Sequence, residues 1–167
     1  SVLMKNIGAF FHSLPGTQTK GLIELTDYCQ ENLGMKMDEV YLEDGTGLSR
    51  NNQMSPRNYS KLLDRIYRSP ELREVMFEAL LDQSSDYLSW NYQNLDIHFK
   101  TGTLANSGVN TMAGFIKDRQ AKTMYSFVIM ANRYKKGRAA YTGYYTNPIL
   151  EKVAQTLNQS TSTVAGK

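Results

Sequence analysis

The residues with the clearest chemical potential are Lys100, Thr101, Gly102 and Thr103, which follow one another directly. We call them the Lys-Thr-Gly-Thr segment. A polar loop precedes them and two apolar runs follow, which predicts the first strand of an antiparallel meander. Successive strand residues face opposite sides, so Lys100 and Gly102 share one face and the two threonines share the other.

A cation, two hydroxyls and a backbone made accessible by glycine suit a peptide that ends in a carboxylate. The alternative is an ordinary solvated strand that carries a lysine and two threonines. These four residues alone leave both interpretations open.

A second polar stretch, residues 44–52, reads Asp-Gly-Thr-Gly-Leu-Ser-Arg-Asn-Asn, and we call it the Asp-Gly loop. Its composition requires unusual backbone angles and hydrogen-bonding side chains. Loops of this type on a rigid scaffold often carry function. The alternative is a structural turn in which Asp44 and Asn52 only satisfy backbone groups.

The elements that must position these residues follow from apolar spacing and from caps. A closing helix is predicted over 146–157, and a tail over 159–167 is predicted to be flexible. Helical spacing also predicts a first helix over residues 2–12 and a second from Thr17 to about Leu33, with Gly34 as its left-handed cap. A third helix is predicted over residues 55–68, and a fourth is predicted to begin at Ser69. Strands are predicted near residues 37–42, 98–104, 110–116 and 123–131, with a turn over 117–122.

This order predicts an α+β fold in which an antiparallel β-sheet is flanked by helices. Two apolar stripes are expected to face the core. In the third helix they are Tyr59, Leu62, Leu63 and Ile66, and in the fourth Leu72, Val75, Met76, Leu80 and Leu81. In the last helix, Ile149, Leu150, Val153 and Leu157 are in helical register. Trp90, with Tyr87 and Tyr92, either walls a groove beside Lys100 or forms a partly buried aromatic cluster.

Composition narrows the function classes. A chain of 167 residues suits one domain or a large piece of one. The net charge of +3 is spread along the chain and forms no basic stripe of the kind that binds nucleic acid, so nucleic-acid binding is not predicted. The basic residues of 133–138 are predicted to lie in a solvated loop. With one cysteine and two histidines, the sequence predicts neither a metal site nor a cofactor. There is no run of 18 apolar residues, so no transmembrane segment is predicted.

The Lys-Thr-Gly-Thr segment, followed by Asn-Thr-Met-Ala-Gly-Phe-Ile at residues 110–116, resembles the third active-site motif of penicillin-interacting serine enzymes. The Asp-Gly loop resembles a loop that marks one branch of them. That branch is the D-alanyl-D-alanine carboxypeptidase/endopeptidase family of low-molecular-mass class C penicillin-binding proteins. The two motifs occur in the family's order, with two proline-started helices between them. The resemblance covers the C-terminal part of a family member.

The resemblance implies part of a β-lactamase/transpeptidase-like domain over residues 1–158. It implies acyl transfer on peptidoglycan stem peptides, inhibition by β-lactam antibiotics, and a location in the bacterial periplasm or at the extracytoplasmic face. Lys100 is then expected near the nucleophile and the substrate carboxylate, and Thr101, Gly102 and Thr103 are expected to bind substrate. Arg50 is expected to meet an anionic group of the stem peptide, or alternatively to form an internal salt bridge.

The family's nucleophile motif, Ser-x-x-Lys, does not occur in the chain. Its second motif, Ser-x-Asn, fits either Ser1-Val2-Leu3, where leucine replaces asparagine, or Ser49-Arg50-Asn51. Ser49 and Asn51 are therefore candidate catalytic residues. The chain opens inside an apolar-periodic segment, so we expect a fragment or a processed chain that is inactive alone. Two alternatives are a non-catalytic peptidoglycan-binding domain and a β-lactamase or esterase of the same layout.

Overall fold

The computed structural model describes residues 1–104, 108–132 and 144–164, and side chains as far as residue 159. The chain divides into two compact units, Ser1–Arg65 and Ile66–Lys167. Helices and antiparallel sheets occur together, which confirms the predicted α+β class. None of the described helices is long and apolar enough to cross a membrane.

The first unit is mainly helical. It contains α1 (Val2–His12), α2 (Gln18–Glu31), a 3₁₀ helix (Met37–Glu39), the two-residue strands β1 (Val40–Tyr41) and β2 (Gln53–Met54), and most of α3 (Pro56–Arg68).

Caps define α2 as the sequence predicts. The Thr17 hydroxyl accepts a hydrogen bond from the Lys20 amide at 3.1 Å, which starts α2. Gly34 follows α2 with φ at +58°, the left-handed conformation that favours glycine. Gly21 lets α1 and α2 approach closely, because a Cβ there would overlap the backbone of Met4.

The second unit contains the end of α3, the helices α4 (Pro70–Ala79) and α5 (Thr146–Val164), and one four-stranded sheet. The strands are β3 (Leu81–Asp82), β4 (Leu95–Leu104), β5 (Val109–Asp118) and β6 (Thr123–Asn132), and they lie in that order. The last three form the predicted meander. β4 pairs with β5 along its whole length, so that Leu95 faces Asp118 and Leu104 faces Val109.

The period of two separates two faces on this sheet. Leu95, Ile97 and Phe99 are fully buried and share one cluster with Leu150 and Ala154 of α5. On the other face, His98 lies beside Phe115, and the Phe77 ring of α4 contacts both, with centroids 4.7 and 5.1 Å away. The central strands are therefore packed on both sides.

Asp118 shapes the turn between β5 and β6. Its carboxylate is buried and accepts hydrogen bonds from the Gln120 and Ala121 amides, at 2.9 and 2.8 Å. A short side chain that accepts from the next backbone amides closes a turn locally. The predicted turn is confirmed over residues 119–122, whereas Lys117 and Asp118 belong to β5.

Several predicted details are wrong. The stripe of the fourth helix is not core, because Leu72, Val75 and Leu81 are 43%, 64% and 40% exposed and the sheet is contacted by Phe77 instead. In α5 the buried stripe is Thr146, Leu150 and Ala154, whereas Ile149 and Val153 are 49% and 41% exposed.

Other boundaries differ from the prediction. The segment 37–42 begins as a 3₁₀ helix and contributes only Val40–Tyr41 to a strand. The closing helix continues to Val164, past its predicted end. The basic residues of 133–138 and the last three residues of the predicted tail lie outside the described residues. That residues 1–158 form part of one domain stays a prediction.

Candidate active site

The Lys-Thr-Gly-Thr segment lies in the second half of β4, where one sheet edge is open. β5 covers β4 from Leu95 to Leu104. On the opposite side, β3 pairs only with His98 and Phe99. Within the described residues, no strand continues that pairing along residues 100–104. We call this stretch the open edge.

Two hydrogen bonds at the start of β4 fix which backbone groups reach the open edge. The Asn94 carbonyl accepts from the Arg119 amide, on the β5 side, at 2.9 Å. The next carbonyl, that of Leu95, accepts from Gln83 Nε2 at 2.8 Å, on the opposite side. Because backbone groups alternate sides in an antiparallel strand, Thr101 and Thr103 direct their N–H and C=O groups outward.

The Lys100 ammonium lies along the same edge. Lys100 is exposed, and its Nζ donates to the Thr101 carbonyl oxygen at 2.7 Å. A lysine ammonium carries three donors, so this bond leaves two for another acceptor. The positive charge is thus held at the backbone groups that an incoming peptide would meet.

The side chains of Thr101 and Thr103 are half-buried and point to the face that carries Phe99. The Thr103 hydroxyl accepts from Asn110 Nδ2 on β5 at 3.1 Å. The Tyr87 hydroxyl is near Thr101, is buried, and has no hydrogen-bond partner in the described part of the chain. Burial raises the pKa of the Tyr87 hydroxyl, and the nearby Thr101 hydroxyl offsets part of this effect.

Gly102 is approached from β5. The Thr111 hydroxyl donates to the Gly102 carbonyl oxygen at 3.3 Å. A Cβ on residue 102 would lie 2.7 Å from that hydroxyl oxygen. The absence of a side chain at Gly102 therefore leaves room for the Thr111 side chain of the neighbouring strand. The sequence predicts that some group approaches this backbone closely but does not identify it.

The Asp-Gly loop belongs to the first unit and is organised around Asp44. The Asp44 carboxylate accepts hydrogen bonds from Thr46, Gly47, Ser49 and Asn52. Asn52 in turn accepts from the amides of Glu43 and Asp44 at 2.8 and 3.1 Å. Desolvation raises the pKa of Asp44, but the hydrogen bonds outweigh it and lower this pKa to about 2. This geometry agrees with the alternative interpretation of the loop, a structural turn in which Asp44 and Asn52 satisfy backbone groups.

Ser49 and Asn51 both bind Glu43. The Ser49 hydroxyl donates to one carboxylate oxygen, and Asn51 Nδ2 donates to the other at 3.1 Å. The hydrogen bond from Ser49, followed by that from Asn51, lowers the pKa of Glu43. Arg50, between them, is exposed and forms no ion pair within the described residues.

The predicted site residues therefore occupy two units. Lys100, Thr101, Gly102 and Thr103 lie together on the open edge of the second unit, whereas Ser49, Arg50 and Asn51 lie together in the loop of the first. Their roles stay predictions. Among the residues that the structure describes, no group of histidine, cysteine, aspartate and glutamate side chains forms a metal site.

The sequence analysis names Asn110 and Tyr87 but does not predict that they lie next to the hydroxyls of Thr103 and Thr101. A usable signal existed for Asn110, because a polar residue at the inward position of a strand needs a partner. Trp90 and Tyr92 pack against the core cluster, with ring centroids 5.5 Å apart, so the partly buried aromatic cluster is the interpretation that the structure favours.

Comparison with protein families identifies a match. The sequence model of the D-Ala-D-Ala carboxypeptidase 3 (S13) family matches residues 1–144. The chain belongs to this family. The suspected relationship to D-Ala-D-Ala carboxypeptidases is confirmed, and with it a carboxypeptidase-type hydrolase function in general. Comparison with curated proteins finds no significant match.

The matched range of the D-Ala-D-Ala carboxypeptidase 3 family includes both the Asp-Gly loop and the Lys-Thr-Gly-Thr segment. The substrate class of the family is a peptide of peptidoglycan. A terminal D-Ala-D-Ala offers a backbone that can pair with a strand and a carboxylate that can meet a cation. The open edge with Lys100 beside it has the groups for both contacts.

Proposed function

We propose that this chain supplies the substrate-binding wall of a serine-type D-Ala-D-Ala carboxypeptidase/endopeptidase. Its substrates are peptidoglycan stem peptides, β-lactams acylate its nucleophile, and it works in the bacterial periplasm or at the extracytoplasmic face. The observation that carries the proposal is the open edge. Outward N–H and C=O groups of Thr101 and Thr103 stand there beside the Lys100 ammonium.

In this proposal the substrate backbone adds to β4 as an extended strand. Main-chain hydrogen bonds to Thr101 and Thr103 supply affinity, as in other strand-addition complexes. Lys100 neutralises the terminal carboxylate with the two donors that its bond to Thr101 leaves free. The threonine hydroxyls add donors to the same carboxylate.

The acyl transfer needs a serine and an oxyanion hole. The outward N–H of Thr103 is the oxyanion-hole donor that this chain would contribute, and removing one such donor typically costs roughly 10²–10³ in rate. The serine and its general base belong to a Ser-x-x-Lys pair that the 167 residues do not include. We therefore expect the chain alone to be inactive, with Ser49 and Asn51 as candidates for the second motif.

A fluorescent penicillin tests this proposal. The full product of the gene that encodes this chain is expected to form a covalent adduct and to release D-alanine from a peptide that ends in D-Ala-D-Ala. The 167-residue chain is expected to do neither. Stable labelling of the chain alone would contradict the proposal, and so would a gene product that neither labels nor binds the peptide.

A second candidate is a non-catalytic peptidoglycan-binding domain, which the lack of Ser-x-x-Lys in the chain favours. The same experiment separates the two. Binding of the D-Ala-D-Ala peptide by the full gene product, without an adduct and without D-alanine release, supports the binding domain.

A further inference from the structure

Asn110 is a buried polar residue beside the open edge. It lies on β5 directly opposite Thr103, and only 1% of its surface is exposed. Its Nδ2 donates to the Thr103 hydroxyl oxygen at 3.1 Å, and its Oδ1 is buried without a partner in the described residues. Burying an amide in this way is costly, so its one hydrogen bond needs an explanation.

The amide orientation follows from the kind of group that is left unpaired, a donor or an acceptor. With Nδ2 toward Thr103, one N–H is paired and the Oδ1 acceptor is not. With the amide reversed, Oδ1 would accept from the hydroxyl and the Nδ2 donors would take the buried position at which Oδ1 has no partner in the described residues. Unpaired buried donors are rarer in proteins than unpaired acceptors, which favours the donating orientation.

This orientation decides what the Thr103 hydroxyl does. A hydroxyl has one donor and two acceptor sites, and one acceptor site is occupied by Asn110. Because Nδ2 approaches with a proton, the hydroxyl proton cannot point toward it and turns elsewhere. At the open edge, that leaves the O–H free to donate to an arriving acceptor.

We infer that Asn110 is a positioning residue, which orients the Thr103 hydroxyl as a hydrogen-bond donor to the terminal carboxylate of a D-Ala-D-Ala ligand. The inference rests on the proposed function, because it needs that carboxylate at the open edge. Asn110 does not touch the ligand. A ligand that ends in a carboxamide offers only a neutral acceptor to the same hydroxyl, so it is expected to sense Asn110 much less.

The test compares two peptides, an N-acylated D-Ala-D-Ala with a free carboxylate and its C-terminal carboxamide, binding to the full gene product. In Asn110→Leu, the free acid is expected to bind about 10-fold more weakly, the scale of one hydrogen bond to a charged group. Carboxamide binding is expected to weaken clearly less than this, because its hydrogen bond to the hydroxyl is a neutral one. Asn132→Leu, at an exposed end of β6 on the same sheet, is the matched control.

A double-mutant cycle assigns the effect to Thr103. In a Thr103→Val background, Asn110→Leu is expected to cause no further loss for the free acid. An equal loss for both peptides, or a loss that persists without the hydroxyl, overturns the inference. A gene product that binds neither peptide overturns the proposed function itself, and the inference with it.

A measurement without any Asn110 variant covers the case in which that variant does not fold. The side-chain amide signals of Asn110 are followed by NMR in the otherwise unaltered protein and in Thr103→Val. The donating orientation predicts that one amide proton moves upfield when its acceptor is removed. Unchanged amide signals overturn the inference.

Discussion

The Lys100 ammonium donates to the carbonyl oxygen of its own neighbour, Thr101, at 2.7 Å. The alternation along β4 directs that carbonyl to the open side of the strand. The bond therefore fixes a positive charge at the sheet edge, although the lysine side chain is exposed. A lysine free in solvent would lose rotamer freedom to meet a ligand, whereas this one has already lost much of it.

Replacing Lys100 by methionine is expected to weaken binding of D-Ala-D-Ala peptide to the full gene product by roughly 10- to 100-fold, the range of a lost hydrogen bond to a charged group. Titration calorimetry measures the loss. Lys117→Met is the matched control, because Lys117 is an exposed lysine of the neighbouring strand. Equal affinities for the two variants would remove Lys100 from the site.

Hydrogen exchange is expected to alternate along β4. The amides of Lys100 and Gly102 point to β5 and are predicted to exchange slowly, while those of Thr101 and Thr103 face the open edge and are predicted to exchange fast. Residue-resolved NMR exchange of the chain measures this. Equal protection of all four amides would mean that something covers the edge.

The Asp44 carboxylate predicts a pH effect of defined sign. Its pKa is lowered to about 2 from the ordinary value of 3.8, so its stabilising effect is complete above 3.8 and is lost as the pH falls toward 2. The difference in melting temperature between the unaltered chain and Asp44→Asn is expected to be constant above that range and to shrink through it.

Asp38→Asn, which removes an exposed carboxylate outside the loop, is the matched control for this pH series. A difference between the chain and Asp44→Asn that grows on acidification would contradict the hydrogen-bond network around Asp44.

Two glycines of the sheet are expected to differ in their tolerance of alanine. At Gly114 a Cβ would overlap the carbonyl oxygen of His98, which is backbone, whereas at Gly102 it meets only the Thr111 hydroxyl, at 2.7 Å. Overpacking costs typically 1–3 kcal/mol, so we expect Gly114→Ala to lose about 3 kcal/mol and Gly102→Ala about 1 kcal/mol. Denaturant unfolding compares the two, and the reverse order would contradict the β4–β5 register.

Local signals predicted the elements that depend on local chemistry. The caps of α2, the proline starts of α3 and α4, and the meander predicted from residue 98 onward are set by residues close in sequence. The Lys-Thr-Gly-Thr segment was predicted on the strand it occupies, because the alternation of apolar residues and the turn signals in the sequence are enough to place it.

The predictions that failed concern features that depend on tertiary contacts. The sequence of α4 offers several apolar residues, and only the sheet decides that Phe77 contacts it while Val75 is exposed. The pairing of Asn110 with Thr103 depends on the hairpin register, which the sequence between β4 and β5 does not fix. The binding of Ser49 and Asn51 by Glu43 depends on the backbone path of the loop.

The most direct test of the open edge is an NMR titration of the full gene product with an N-acylated D-Ala-D-Ala peptide and its L-Ala-L-Ala counterpart. We predict saturable shifts of the Thr101 and Thr103 amides with the D-peptide, slower exchange of both amides, and no such response to the L-peptide. Unmoved Thr101 and Thr103 amides, or equal responses to the two peptides, would contradict this prediction.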